Sequence, residues 1–95
     1  MGGGKDSALA FIAAGFKAIT TCVDTQVLDK RFAGCQFDAH FLAELPTSVD
    51  PCGENGEFHS FVYDGPLFQQ GIAIRLGERV LREQRFYYCD LLPAE

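Results

Sequence analysis

Two stretches of the chain hold residues whose types and spacing can do chemistry. The first is GGGKDS (Gly2 to Ser7), directly before the apolar run ALAFIAA. Consecutive glycines let several backbone N–H groups turn toward one anion, and the N-terminus of a following helix adds partial positive charge. Lys5 can set an ammonium on a phosphate, and Ser7 can donate a hydroxyl. The Walker A pattern is not met, because Asp6 stands where that pattern needs Ser or Thr directly after the lysine. On residue types alone the stretch reads either as a phosphate cradle or as a flexible N-terminal segment. The second stretch is DPCGENGEFHSFVYDGPLF (Asp50 to Phe68). It sets Asp50, Glu54 and Glu57 around Gly53 and Gly56, with Asn55 and His59 beside them. Carboxylates, an amide, an imidazole and the aromatic rings of Phe58, Phe61 and Tyr63 so close together could hold a charged or polar ligand. The plainer reading is a solvated acidic turn ahead of a core strand, with His59 structural.

The elements that must position these residues follow from periodicity and punctuation. Asp6 or Ser7 can cap a short helix through Ala14, with Gly15 as its stop. KAITTCV (Lys17 to Val23) is β-branched and apolar or Thr on both faces, which suits a buried strand of a parallel or mixed sheet. Residues 24–37 read as irregular. Asp38 then caps a second short helix, with Phe37 and Leu42 at staple positions and Pro46 as its end. Thr47 to Glu57 is a loop, and FHSFVYD (Phe58 to Asp64) a strand. Ile72, Ile74 and Leu76 alternate with Ala73 and Arg75. A turn is expected at Gly77–Glu78, followed by a strand from Arg79 to Leu91 that pairs back as a hairpin.

Composition bounds the function. The chain has 95 residues, 47% of them apolar, and a net charge of −5, with no Lys/Arg-rich run. This points to a single small domain over 1–95 and argues against a nucleic-acid partner. No apolar run approaches the ~20 residues that span a bilayer, so no membrane association and a cytoplasmic location are expected. Cys22, Cys35, Cys52 and Cys89 are scattered without a Cys-x-x-Cys pair, which fits reduced structural thiols rather than a metal site. Exposed sheet edges would favour a homo-oligomer.

GGKDS resembles the core of the S-G-G-K-D-S signature of PP-loop ATP pyrophosphatases, with Gly2 in place of the leading Ser. GENGEFHSFVYDGP resembles the C-terminal signature of one branch of that group, the diphthine–ammonia ligase (diphthamide synthase) family. GFKAITTCVD, DKRFAG and CDLLP also read like that family's C-terminal half, so the resemblance covers most of the chain. It implies ATP-dependent, AMP-forming amidation of a carboxylate by ammonia. The implied substrate is diphthine on a translation elongation factor, whose side chain carries a fixed trimethylammonium. It also implies ATP and Mg²⁺ as cofactors. Gly3, Gly4, Lys5, Asp6 and Ser7 would hold the nucleotide, with Asp6 a metal ligand. Gly53, Glu54, Asn55, Gly56, Glu57, Phe58 and His59 would hold substrate: Glu54 and Glu57 would attract its cation, Phe58, Phe61 or Tyr63 would offer it a π face, and Asn55 and His59 would orient the carboxylate or ammonia. Lys5, Glu54, Glu57 and His59 would be catalytic. The implied fold is α/β, or α+β at this length: a remnant of a PP-loop Rossmann-like sheet over 1–15, a substrate-loop region over 16–68, and a β-hairpin over 69–95. In that family a buried strand precedes the phosphate loop, and further βα units follow it. The short ALAFIAA connection here therefore reads as an N-terminal truncation with an internal deletion, and weak or no ATP binding by the monomer is expected. The alternatives are a non-catalytic binding domain, or a degenerate fragment or subunit, that keeps the acidic loop.

Overall fold

The structure, a computed structural model, describes residues 3–94. Its elements run α1 (Gly3–Ala13), β1 (Lys17–Asp24), a short 3-10 turn (Lys30–Phe32), α2 (Ala39–Glu44), β2 (Phe58–Asp64), β3 (Ile74–Arg82) and β4 (Phe86–Pro93). The four strands form one sheet in the order β2-β1-β4-β3. Every pairing is antiparallel. The expected parallel or mixed sheet is thus corrected: this is a small α+β domain, and no Rossmann-like sheet is present among the described residues. The two-sided burial of β1 has another cause. It is a central strand, flanked by β2 and β4, and a bulge at Thr21 shifts its register between Thr20 and Cys22.

The first helix begins earlier than its sequence suggests. Gly3 and Gly4 are helical, so Asp6 and Ser7 lie inside the first turns instead of capping them. Its end is as expected. Gly15, at φ +98°, donates its N–H to the Ile12 carbonyl, and Phe16 donates to the Phe11 carbonyl. This double closure is a Schellman motif, and the Phe11 and Phe16 rings stack across it at 4.9 Å. In α2 the Asp38 carboxylate accepts from the Phe41 N–H at 2.9 Å, the predicted N-cap.

Phe37, Phe41 and Phe58 meet with centroids 5.4–6.2 Å apart, and Phe32 and Phe11 extend the cluster. This aromatic core includes Val23 from the sheet and Ala8 from α1. Thr20 is the fully buried polar residue beneath it. Its hydroxyl donates to the Phe32 carbonyl and accepts from the Cys35 N–H at 3.0 Å, pinning the irregular segment to β1.

The hairpin turn lies further along than expected. β3 runs unbroken through Gly77 and Glu78, which form a bulge between Leu76 and Arg79. The chain reverses at Glu83 and Gln84, both with positive φ (55° and 56°), and the Arg85 N–H bonds to the Arg82 carbonyl at 3.0 Å. Positive φ at both central positions is the pattern of a type I′ turn, whose twist matches that of the flanking strands.

Candidate functional site

The acidic loop between α2 and β2 is organised from within. The Asp50 side chain accepts from the backbone N–H groups of Cys52 and Glu54, each at 3.0 Å. These bonds wind the loop into an Asx-type turn, for which Asp-Pro is a sequence cue. Gly53 sits at φ +67°, and a Cβ there would come within 2.8 Å of the Phe58 carbonyl and 3.2 Å of its ring. Only glycine lets the loop pack this closely on the first residue of β2.

Glu57 closes the loop. Glu57 is only 6% exposed. One carboxylate oxygen accepts from the Asp50 N–H at 2.9 Å and the other from the Asn55 N–H at 3.2 Å, while the Asn55 amide adds a longer bond at 3.4 Å. The Glu57 carbonyl accepts from the Asp24 N–H at 2.9 Å, which fastens the loop to the end of β1. Glu57 is therefore a loop staple, with its charge already met by internal donors. Glu54 is different: its backbone is fixed by Asp50 while its side chain is exposed.

The rest of the expected set divides between the two faces of β2. Phe58 is buried in the aromatic core. Phe58, Ser60 and Val62 face α1. With Ser7, Phe11 and Cys52 they line a cleft of about 320 Å³. His59 and Phe61 have the opposite parity and are exposed on the other face, paired across to Cys22 and Ile19. Tyr63 is half-buried, and its hydroxyl donates to Gln36 Oε1 at 2.8 Å. The fold thus brings Ser7 of the glycine stretch to the wall of a cleft beside the acidic loop. It does not gather Glu54, Glu57 and His59 around one point.

Lys5, Asp6 and Ser7 are exposed on the first turns of α1. With Gly3 and Gly4 wound into that helix, these residues do not form the glycine loop that a nucleotide phosphate needs. Among the described residues no group of three or more His, Cys, Asp or Glu converges, so Asp6 belongs to no metal cluster of that size. The arrangement does not fit the phosphates of ATP.

One feature of the site was not anticipated. Asp24, at the end of β1, is buried and accepts from both Nε and Nη2 of Arg85, at 2.9 and 2.8 Å, and from the Gln26 N–H at 3.0 Å. The Arg85 hydrogen bonds hold its carboxyl below the ordinary aspartate range, against the opposing effect of burial. Arg85 lies in the β3–β4 turn, so this pair joins the hairpin to the strand end that carries the acidic loop. Asp24 shows only turn chemistry in the sequence; its partner, sixty-one positions away, is visible only in three dimensions.

The family model described as Diphthamide synthase C-terminal domain matches residues 5–91. The chain belongs to that family. Its match starts at Lys5, so α1 falls within the C-terminal domain pattern from that residue onward, and Gly3 and Gly4 lie outside the matched range. No curated protein matches the chain. No helix among the described residues is long and apolar enough to cross a membrane.

Proposed function

We propose that this domain serves the ATP-dependent, AMP-forming amidation of a carboxylate, of diphthine–ammonia ligase type, by holding the substrate. The observation that carries this reading is the contrast within the acidic loop. Glu57 and Asp50 spend their carboxylates on the loop's own N–H groups, and the loop so stiffened presents Glu54 to solvent. A carboxylate held on a preorganised loop loses little further entropy on meeting a cation. That suits a substrate with a fixed trimethylammonium beside the carboxylate to be amidated. Asn55, also exposed and anchored by its backbone to Glu57, is placed to orient the polar end.

ATP would supply the activation that turns the carboxylate oxygen into a leaving group. These residues form no cradle for it, and no step here is assigned to them. The family membership supports ammonia and a modified elongation factor as partners and a cytoplasmic setting.

Titrating the chain with a trimethylammonium carboxylate such as γ-butyrobetaine, followed by amide NMR shifts, tests the reading. Shifts should centre on residues 50–57. Glu54→Gln should weaken binding about twofold to fivefold, the range for one exposed ion pair, and Lys5→Ala should leave it unchanged. Binding that ignores Glu54 would overturn the proposal. Ammonia-dependent AMP release by the isolated chain, lost in Lys5→Ala, would instead assign the whole ligase reaction to it.

A further inference from the structure

The two edges of the sheet are finished differently. In the order β2-β1-β4-β3 the edge strands are β2 and β3. β3 (IRLGERVLR) carries Arg75, Glu78, Arg79 and Arg82, and a bulge between Leu76 and Arg79. Charges and a bulge are the usual protections of an edge against a further strand. β2 (FHSFVYD) has no Lys, Arg or Pro, and its one carboxylate, Asp64, is its last residue. The register shifts of its ladder with β1 fall on either side of Ser60–Val62, which is regular.

The free backbone groups of β2 can be placed from β1. Thr20 and Ala18 bond to Gly34, Cys35 and Phe37 at 2.8–2.9 Å, on the side away from β2. In an antiparallel ladder, directly opposite residues point their N–H and C=O groups either at each other or both away. Ser60 and Val62 stand opposite Thr20 and Ala18, so they point theirs at the open edge. Among the described residues no backbone group bonds to them there. The window is closed at both ends. Gly53 packs on the Phe58 carbonyl, and the Ile72 N–H bonds to the Tyr63 carbonyl at 2.8 Å.

A window of this form fits its own copy. With two β2 strands antiparallel about a two-fold axis at Phe61, Ser60 meets Val62 of the second copy, and Val62 meets its Ser60. Each of these pairs exchanges two backbone hydrogen bonds. Phe61 then faces Phe61 of the second copy in the closely spaced pair between them, and His59 faces its Tyr63. Phe61 is otherwise a large apolar ring left 39% exposed on the sheet face away from the core. Asp64 falls outside the window, so no like charges are opposed.

We propose that β2 is the surface through which two copies of this chain associate, joining two four-stranded sheets into one of eight strands with the two-fold axis at Phe61.

Sedimentation and light scattering of the full chain test this over a concentration series up to about 1 mM, as a small interface requires. The mass should rise from 10.5 kDa toward twice that value. The Ser60 and Val62 amides should exchange with solvent more slowly as the dimer fills, while those of β3 should not change. Phe61→Lys sets two ammonium groups opposite each other and should weaken association about tenfold or more. Ser60→Pro removes an outward N–H at a position where a sheet edge accepts proline, and should do the same. Circular dichroism checks that both variants fold. A chain that stays monomeric would overturn the proposal and leave this edge to a strand of another protein. A dimer without added protection at Ser60 and Val62, or one undiminished in the folded variants, would also overturn it.

Discussion

Two glutamates three positions apart do opposite work. Glu57 is buried with both oxygens occupied, and Glu54 is exposed with only its backbone held. Their substitutions should separate accordingly. Glu57→Ala leaves the Asp50 and Asn55 N–H groups without their acceptor, and should cost about 1–3 kcal/mol of stability. It should also speed hydrogen exchange at both amides. Glu54→Gln should leave the melting temperature alone and change only ligand binding. A thermally neutral Glu57→Ala would remove its role as staple. That the segment between α2 and β2 is a loop was legible in the sequence, since a proline, two glycines and an asparagine are plain to read. The sequence did not show which carboxylate is free, because that depends on which N–H groups the folded turn brings within 3 Å or so of each oxygen.

At the scale of elements, local signals were legible where the chemistry is local. The Asp38 cap, the Gly15 stop and the strand over Lys17–Asp24 all rest on residues within a turn of one another. The glycine stretch and the hairpin were not legible for the same reason turned round. Helix α1 packs Ala8 into the core and fastens Phe11 to Phe16, and this tertiary support carries the helix back through glycines of poor helix propensity. Gly77 looks like a turn in sequence but is a bulge, while the real reversal falls on Glu83 and Gln84, which have no turn preference. Non-glycine residues at positive φ cost about 1–2 kcal/mol each. Replacing the pair by Asn-Gly, the favoured type I′ dipeptide, should therefore raise stability by about 1 kcal/mol or more, seen as a higher denaturation midpoint with an unchanged m-value. A lower midpoint would mean that Glu83 or Gln84 makes a contribution outside the turn.

Across the whole molecule, the Asp24–Arg85 pair is the tie between its two halves. β1 and β4 share only a short run of pairing, and the ion pair sits at the end of that run with the Thr25 N–H bonded to the Arg85 carbonyl at 2.9 Å. Through Asp24 N–H the same point holds the acidic loop. Because Arg85 lowers the Asp24 pKa in the folded chain, the unfolded state binds that proton more readily. The pair's contribution is thus fully present above the ordinary aspartate value near 3.8 and is lost as pH falls through the lowered folded value. Asp24→Asn should cost about 1.5–3 kcal/mol at neutral pH, the range for hydrogen bonds to a charged group. The gap between variant and wild type should narrow steadily below about pH 4 in urea titrations. It should also shrink in high salt, since the Arg85 side chain is partly exposed. A gap that stays constant from pH 7 to pH 2 would show that the Asp24 charge contributes nothing, and that β1 and the hairpin are joined by backbone hydrogen bonds and packing alone.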